Sequence, residues 1–166
     1  MTISKSTMND ELKDRFEELV KQEKGTIYSI CLMFAPDRDQ ADDLAQETLV
    51  NLWLGLPKFR GDSSSHTWVY RVTLNTCITY ERKKKRQPDK ADLIEVSLSD
   101  EESDDSENAR RLHRRIQSLE RFDRAIILLW LEGLPYDEIG DIVGISANAV
   151  GVRLVRIREK LKKINN

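Results

Sequence analysis

Proline is scarce in this chain: four in 166 residues, at Pro36, Pro57, Pro88 and Pro135, each where a helical pattern stops or starts. So few interruptions predict a helix-rich protein. The two cysteines, Cys31 and Cys77, sit in apolar helical patterns with no histidine or second cysteine at ligand spacing. That argues against a disulfide framework or a metal site and predicts buried free thiols in a reducing cytoplasm. His66 and His113 stand alone, and there is no glycine-rich phosphate loop. No catalytic residue, metal or cofactor is therefore expected, and no enzyme. No apolar run is long enough to span a bilayer, and no signal or lipidation motif is seen, so a cytoplasmic location is expected.

What the chain does have is charge in blocks. Apolar residues make up 39% and charged residues 34%, with a formal net charge of only −2. That average hides about −5 over 1–57, about +6 over 58–88, about −8 over 89–107 and about +5 over 108–166. Two basic modules flank an acidic strip, an arrangement suited to two nucleic-acid contacts joined by a tether.

Along the chain, 1–8 reads as a frayed start. A helix follows from Asn9 with Leu12, Phe16, Leu19 and Val20 on one face, broken at Gly25. Thr26–Phe34 then reads as a short interior helix stopped by Pro36. Asp37–Trp53 is amphipathic: Ala41, Leu44, Ala45, Thr48 and Leu52 form the inward stripe, while Asp42, Asp43, Gln46, Glu47 and Asn51 point elsewhere. That acidic face is either simply solvated or a docking surface.

The segment 59–86 opens with a polar loop, Arg60-Gly61-Asp62-Ser63-Ser64-Ser65, suited to turns and local capping. Helical spacing begins at Thr67. Arg71, Asn75, Thr79 and Arg82 share a polar stripe, Val69, Thr73, Thr76, Cys77 and Tyr80 lie opposite, and Trp68 sits at the edge near the loop. The helix ends in Arg82-Lys83-Lys84-Lys85-Arg86. Two readings stand at this point. One is a solvated basic helix with Trp68 in the core. The other is a nucleic-acid contact, in which cations hold phosphates, the indole stacks on an unpaired base and the amide reads a base edge.

From Gln87 to Asn108 the composition is that of a flexible acidic linker. Beyond it, Leu112, Ile116 and Leu119 mark one helix and Ala125–Leu131 the core of a second. Tyr136–Val143, the turn Gly144-Ile145-Ser146 with Ser146 as cap, and Ala147–Lys162 then read as a helix-turn-helix. The last helix turns Val150, Leu154, Ile157 and Leu161 inward and Asn148, Val152, Val155 and Arg156 outward, flanked by Arg153 and Arg158. Outward residues of such a helix read the major groove.

The segments Asp42-Asp43-Leu44-Ala45-Gln46-Glu47-Thr48, Phe59-Arg60, and Thr67-Trp68-Val69-Tyr70-Arg71-Val72 with Asn75 resemble region two of bacterial sigma factors of the small extracytoplasmic-function type. Ser118–Leu161, with Tyr136-Asp137-Glu138-Ile139-Gly140, resembles their region four. The resemblance implies two small helical domains, 9–86 and 109–164, joined by the acidic linker 87–108. It further implies a monomer when free that docks on core RNA polymerase through Asp43, Gln46 and Glu47. Gly61, Asp62, Ser63, Ser64, Ser65, His66, Trp68, Arg71, Asn75 and Arg82 are then expected at the −10 element of promoter DNA. Asn148, Val152, Arg153, Val155, Arg156 and Arg158 are expected at the −35 element. An anti-sigma partner, often membrane-bound in the family, is implied as well. Gly151 and Val152 depart from the family pattern, where many members carry a basic residue and a serine. The rival reading is a free-standing helix-turn-helix regulator that binds duplex DNA without polymerase.

Overall fold

The computed structural model describes residues 3–85 and 104–163. Among them run seven helices and no strand: α1 (Ile3–Phe34), α2 (Arg38–Gly55), α3 (Ser65–Lys85), α4 (Asp104–Gln117), α5 (Arg121–Leu131), α6 (Tyr136–Val143) and α7 (Ala147–Lys163). The fold is all-α, as the helical patterning predicts. Helices α1, α2 and α3 pack on one another, α5, α6 and α7 do the same, and α4 touches both α1 and α5.

The break expected at Gly25 does not occur, because α1 runs unbroken for 32 residues. Nor is 1–8 wholly a frayed start, since α1 begins at Ile3. A glycine inside a helix costs about 1 kcal/mol relative to alanine, too little to break a helix that packs on both sides of it. Phe16 and Leu19 precede it, and Ile27, Ile30, Cys31 and Phe34 follow, all packed in the core. Gly25 itself faces open space, and the Ser29 hydroxyl donates to its carbonyl at 2.8 Å.

Helix α2 starts at an N-cap, with the Asp37 carboxylate accepting from the Gln40 N–H at 2.8 Å. Ala41, Leu44, Thr48 and Leu52 are buried as expected, and Ala45 is half-buried. Pro57 lies in a single 3-10 turn, Leu56–Lys58, that leads into the loop before α3. On α3 the predicted inward residues Val69, Thr73, Thr76 and Cys77 are buried, joined by Tyr70 and Leu74, which the stripe left out. Cys77 and Cys31 are free and buried, their sulfurs 4.0 Å apart across α3 and α1.

Helix α4 begins at Asp104, inside the span read as linker; 87–103, and Arg86 before it, lie outside the described residues. Glu107 pairs with Arg111 at 3.6 Å and Arg114 at 3.5 Å, which favours helix over tether there. The inward face of α4 also differs from the expected one. His113 and Ile116 are buried, while Leu112 is 42% exposed. Packing on α1 and α5 from one side selects the His113–Ile116 edge and leaves Leu112 on the flank.

Helices α4–α7 are joined to the first three through Arg124 of α5, 6% exposed. Its guanidinium donates to the carbonyls of Gln117 (2.9 Å) and Leu119 (2.8 Å), pairs with Glu81 of α3 at 3.3 Å, and lies 4.9 Å from the Phe34 ring centre. Burial lowers the pKa of this group, and Glu81 works against that shift. The Gln117 amide reaches the carbonyls of Leu32 and Ala35 at the end of α1, each at 3.4 Å.

Candidate nucleic-acid interface

Three exposed faces carry the residues that the sequence singled out. The first is on α2. Asp43, Gln46 and Glu47 are exposed, and none makes a hydrogen bond or ion pair with a described residue. Below them on the same strip stand Val50, 55% exposed, and Leu54, 64% exposed. The acidic face is thus continuous with an unpartnered apolar one. Sequence reasoning missed both residues, though their three- and seven-residue offsets from Glu47 place them on this face.

The second face is the loop before α3 and the outer side of that helix. Gly61 has φ +80°, a left-handed turn natural to glycine. Ser64 closes the loop: its hydroxyl accepts from the Thr67 N–H at 3.1 Å, and its carbonyl accepts from the Trp68 N–H at 3.0 Å. Asp62 and Ser65 are exposed, and the Ser63 hydroxyl donates to the Ser64 carbonyl at 3.3 Å. His66 turns towards α1, where Glu23 holds it. Trp68 is neither free nor core. It is half-buried, stacked on Phe59 with ring centres 4.8 Å apart and 24° between planes, and it crowds Gly55. A cavity of about 500 Å³ lies beside it, floored by Leu56, Phe59 and Trp68 and rimmed by Asp14, Arg15, Glu18 and Gln22 of α1. Asn75 and Arg82 are exposed about two turns and four turns beyond Trp68. Arg71 donates to the Asp141 carbonyl of α6 at 3.2 Å, so it faces the helix-turn-helix.

The back of α3 is pinned by polar contacts between helices. Asn51 of α2 donates to the Thr76 hydroxyl at 3.0 Å, and Gln40 accepts from the Tyr80 hydroxyl and from Lys84, the latter at 3.2 Å. Burial, then the carboxylates of Asp37 and Asp43, raise the pKa of Tyr80, so it remains a donor.

The third face is α7. Gly144, at φ +84°, ends α6 in the left-handed conformation. A Cβ on Gly140 would lie 2.4 Å from the Ile145 carbonyl oxygen, so only glycine lets the turn pass this close to α6. The Ser146 hydroxyl caps α7 by accepting from the Ala149 N–H at 3.1 Å. Val150, Leu154 and Ile157 are buried, which leaves Asn148, Val152 (54% exposed), Val155 (59% exposed) and Arg156 outward. The flanking cations are engaged by their own unit. Arg153 pairs with buried Asp123 at 3.2 Å and lies over the Phe122 ring, Lys160 pairs with the same carboxylate at 3.0 Å, and Arg158 lies over Trp130. Asp123 was not foreseen. The side that Gly151 leaves open is filled by the Tyr136 ring, 3.4 Å from where a Cβ would stand.

Two family models match the chain in this order: Sigma-70 region 2 over residues 19–87, and Sigma-70, region 4 over residues 109–161. The chain belongs to the sigma-70 family. It is an alternative sigma factor of the extracytoplasmic-function type, which directs transcription initiation. It is 30% identical to the RNA polymerase sigma-H factor of Pseudomonas aeruginosa, the match covering 91% of this chain and 86% of that one. It is 31% identical to the ECF RNA polymerase sigma-E factor of Escherichia coli K12, covering 88% and 84%. Two solved structures share the fold. The sigma factor RpoE of Bartonella quintana, in complex with the anti-sigma factor NepR, superposes with a TM-score of 0.76 at 21% identity, over 90% of this chain and 95% of that one. CnrH, in complex with the cytosolic domain of CnrY, gives 0.68 at 22% identity, over 92% and 88%. The loop and outer face of α3 lie in the region 2 match of this sigma factor, and α6 and α7 in its region 4 match.

Proposed function

We propose that the three faces divide the work of initiation. The strip of Asp43, Gln46 and Glu47 on α2, extended by Val50 and Leu54, docks on core RNA polymerase. The loop Gly61–His66 with Trp68, Arg71, Asn75 and Arg82 engages the melted −10 strand. Asn148, Val152, Val155 and Arg156 read the −35 element, with Arg153 and Arg158 beside the phosphates. The chain has no catalysis of its own in this reading and works in the cytoplasm. No helix among the described residues is long and apolar enough to cross a membrane. An anti-sigma protein is the proposed inhibitor, as the sigma factor RpoE of Bartonella quintana, which shares this fold, is bound by the anti-sigma factor NepR.

One observation carries the docking assignment. Helix α2 is buried along Ala41–Leu52, yet its opposite face presents three polar side chains with no hydrogen bond to a described residue and two large exposed apolar ones. Polar side chains beside exposed aliphatic area support a protein interface over a solvated helix. Arg71 must leave the Asp141 carbonyl to meet DNA, so promoter binding includes a separation of α3 from α6 at that point. The deciding experiment is co-purification with core polymerase followed by transcription from a promoter library. Gln46→Ala with Glu47→Lys should weaken core binding by roughly 2–5 kcal/mol and leave thermal stability unchanged. Sequence-specific duplex binding by the chain alone, without polymerase, would instead favour a free-standing regulator.

A further inference from the structure

The start of α3 is tied to the middle of α1 by an acid that stands where an apolar residue would be expected. Glu23 lies four residues after Leu19 and four before Ile27, on the buried stripe of α1, and is 7% exposed. A carboxylate in such a place is costly unless it is paired. Its only hydrogen-bond partner among the described residues is His66, whose Nδ1 stands 2.7 and 2.8 Å from the two carboxylate oxygens. The imidazole also meets buried Tyr70 edge-on, with ring centres 4.5 Å apart at 81°. The loop closure stands on either side of it in the chain. The Ser64 hydroxyl caps the Thr67 N–H and donates to the Thr67 hydroxyl at 2.9 Å. Within Gly61–His66, His66 alone has a hydrogen-bond partner on α1 among the described residues.

We propose that Glu23 is a positioning residue for promoter melting, acting on the −10 strand through His66. By accepting from Nδ1–H, the buried carboxylate fixes the tautomer and plane of the imidazole, as a carboxylate does for a metal-bound histidine. The clamp sets the loop and Trp68 against α1, beside the cavity at Phe59. It also leaves Nε2, which has no partner among the described residues, as the ring nitrogen open to the strand. Glu23 itself never touches DNA. The inference rests on the assignment of this loop to the −10 strand.

The test uses polymerase holoenzyme formed with the full chain, and as probe a forked DNA bearing the −10 element recovered from the promoter library. A 2-aminopurine placed in its single strand reports unstacking. Glu23→Ala and His66→Ala should each weaken probe binding and the fluorescence rise by roughly ten- to a hundredfold, the loss of one charge-assisted hydrogen bond. The double variant should be no worse than either single one. Glu23→Gln, which keeps an acceptor for Nδ1–H, should recover most of the effect. Affinity for core polymerase and for a −35 duplex should stay at the wild-type value in all of them. Losses that add in the double variant, or a Glu23→Ala protein that binds and unstacks like wild type, would overturn the proposal. A loss confined to His66→Ala would also overturn it, by making His66 a direct contact independent of Glu23. If Glu23→Ala fails to fold, Glu23→Met, which fills the buried place but offers Nδ1–H no acceptor, takes its position: a loss of probe binding like that of His66→Ala supports the proposal, and wild-type binding overturns it. Wild-type holoenzyme that ignores the probe would instead refute the −10 assignment of the loop.

Discussion

The α1–α3 unit and the α4–α7 unit each carry one helix proposed to meet DNA, and they hold it by opposite means. Helix α3 is fixed by polar contacts between residues far apart in the chain: His66 to Glu23, Thr76 to Asn51, and Tyr80 to Gln40. Helix α7 is fixed by a short-range turn, in which Gly140, Gly144 and Ser146 fall within seven residues. Its cations are gathered by one acid, Asp123. The lesson concerns function as much as folding. A face pinned from several directions suits a loop that must hold an unpaired strand in one geometry. A rigid local turn suits a helix that enters a groove as a unit.

The joint between the units is the most sensitive place to break the comparison. Arg124→Ala leaves Glu81, two carbonyls and the end of α4 without their shared partner. A loss of about 3–5 kcal/mol is expected for opening such a pair, measured by chemical denaturation. If the loss falls only in the melting of α4–α7, the two units are independent; loss in both shows that they fold as one.

Next in size comes the turn. Gly140→Ala sets a methyl against the Ile145 carbonyl and should cost about 3 kcal/mol. Gly25→Ala in α1 meets nothing within 4 Å and should stabilise by up to about 1 kcal/mol. Opposite signs for two helical glycines, read from thermal melts, would show that surroundings and not residue type set the outcome.

On α7, Arg156→Ala should lose roughly 1–3 kcal/mol of discrimination at one G·C pair, scored by duplex selection with holoenzyme. Arg153→Ala should behave differently. Because Arg153 is clamped on Asp123 and over Phe122, the substitution should lower both stability and affinity for every sequence alike.

The smallest effect is a pH dependence. Burial lowers the pKa of His113 below its usual 6.5, and Nε2 has no hydrogen-bond partner among the described residues. The unfolded chain therefore binds the proton more readily than the folded one. The stability that His113 contributes is complete above about pH 6.5 and declines as pH falls below it. His113→Gln should flatten melting temperature against pH below about 6.5, and an unchanged slope would place the effect elsewhere.

How much was legible follows from the range of each interaction. The helix-turn-helix could be read to the residue at α6, since caps, turns and the inward stripe of α7 are local. The acidic strip of α2 was legible too, because it needs only the helical period. By itself, then, the sequence determined the all-α class, the order of the elements, the family and which sides of α2 and α7 face outward. Tertiary packing alone decided the rest. It kept α1 whole through Gly25, turned His113 inward and Leu112 outward, and stacked Trp68 on Phe59. It also brought Glu23 to His66 and Arg124 to Glu81, each across 43 positions of chain. Periodicity says which side of a helix is buried, but not which helix will cover it. A buried charge finds its partner only once that choice is made.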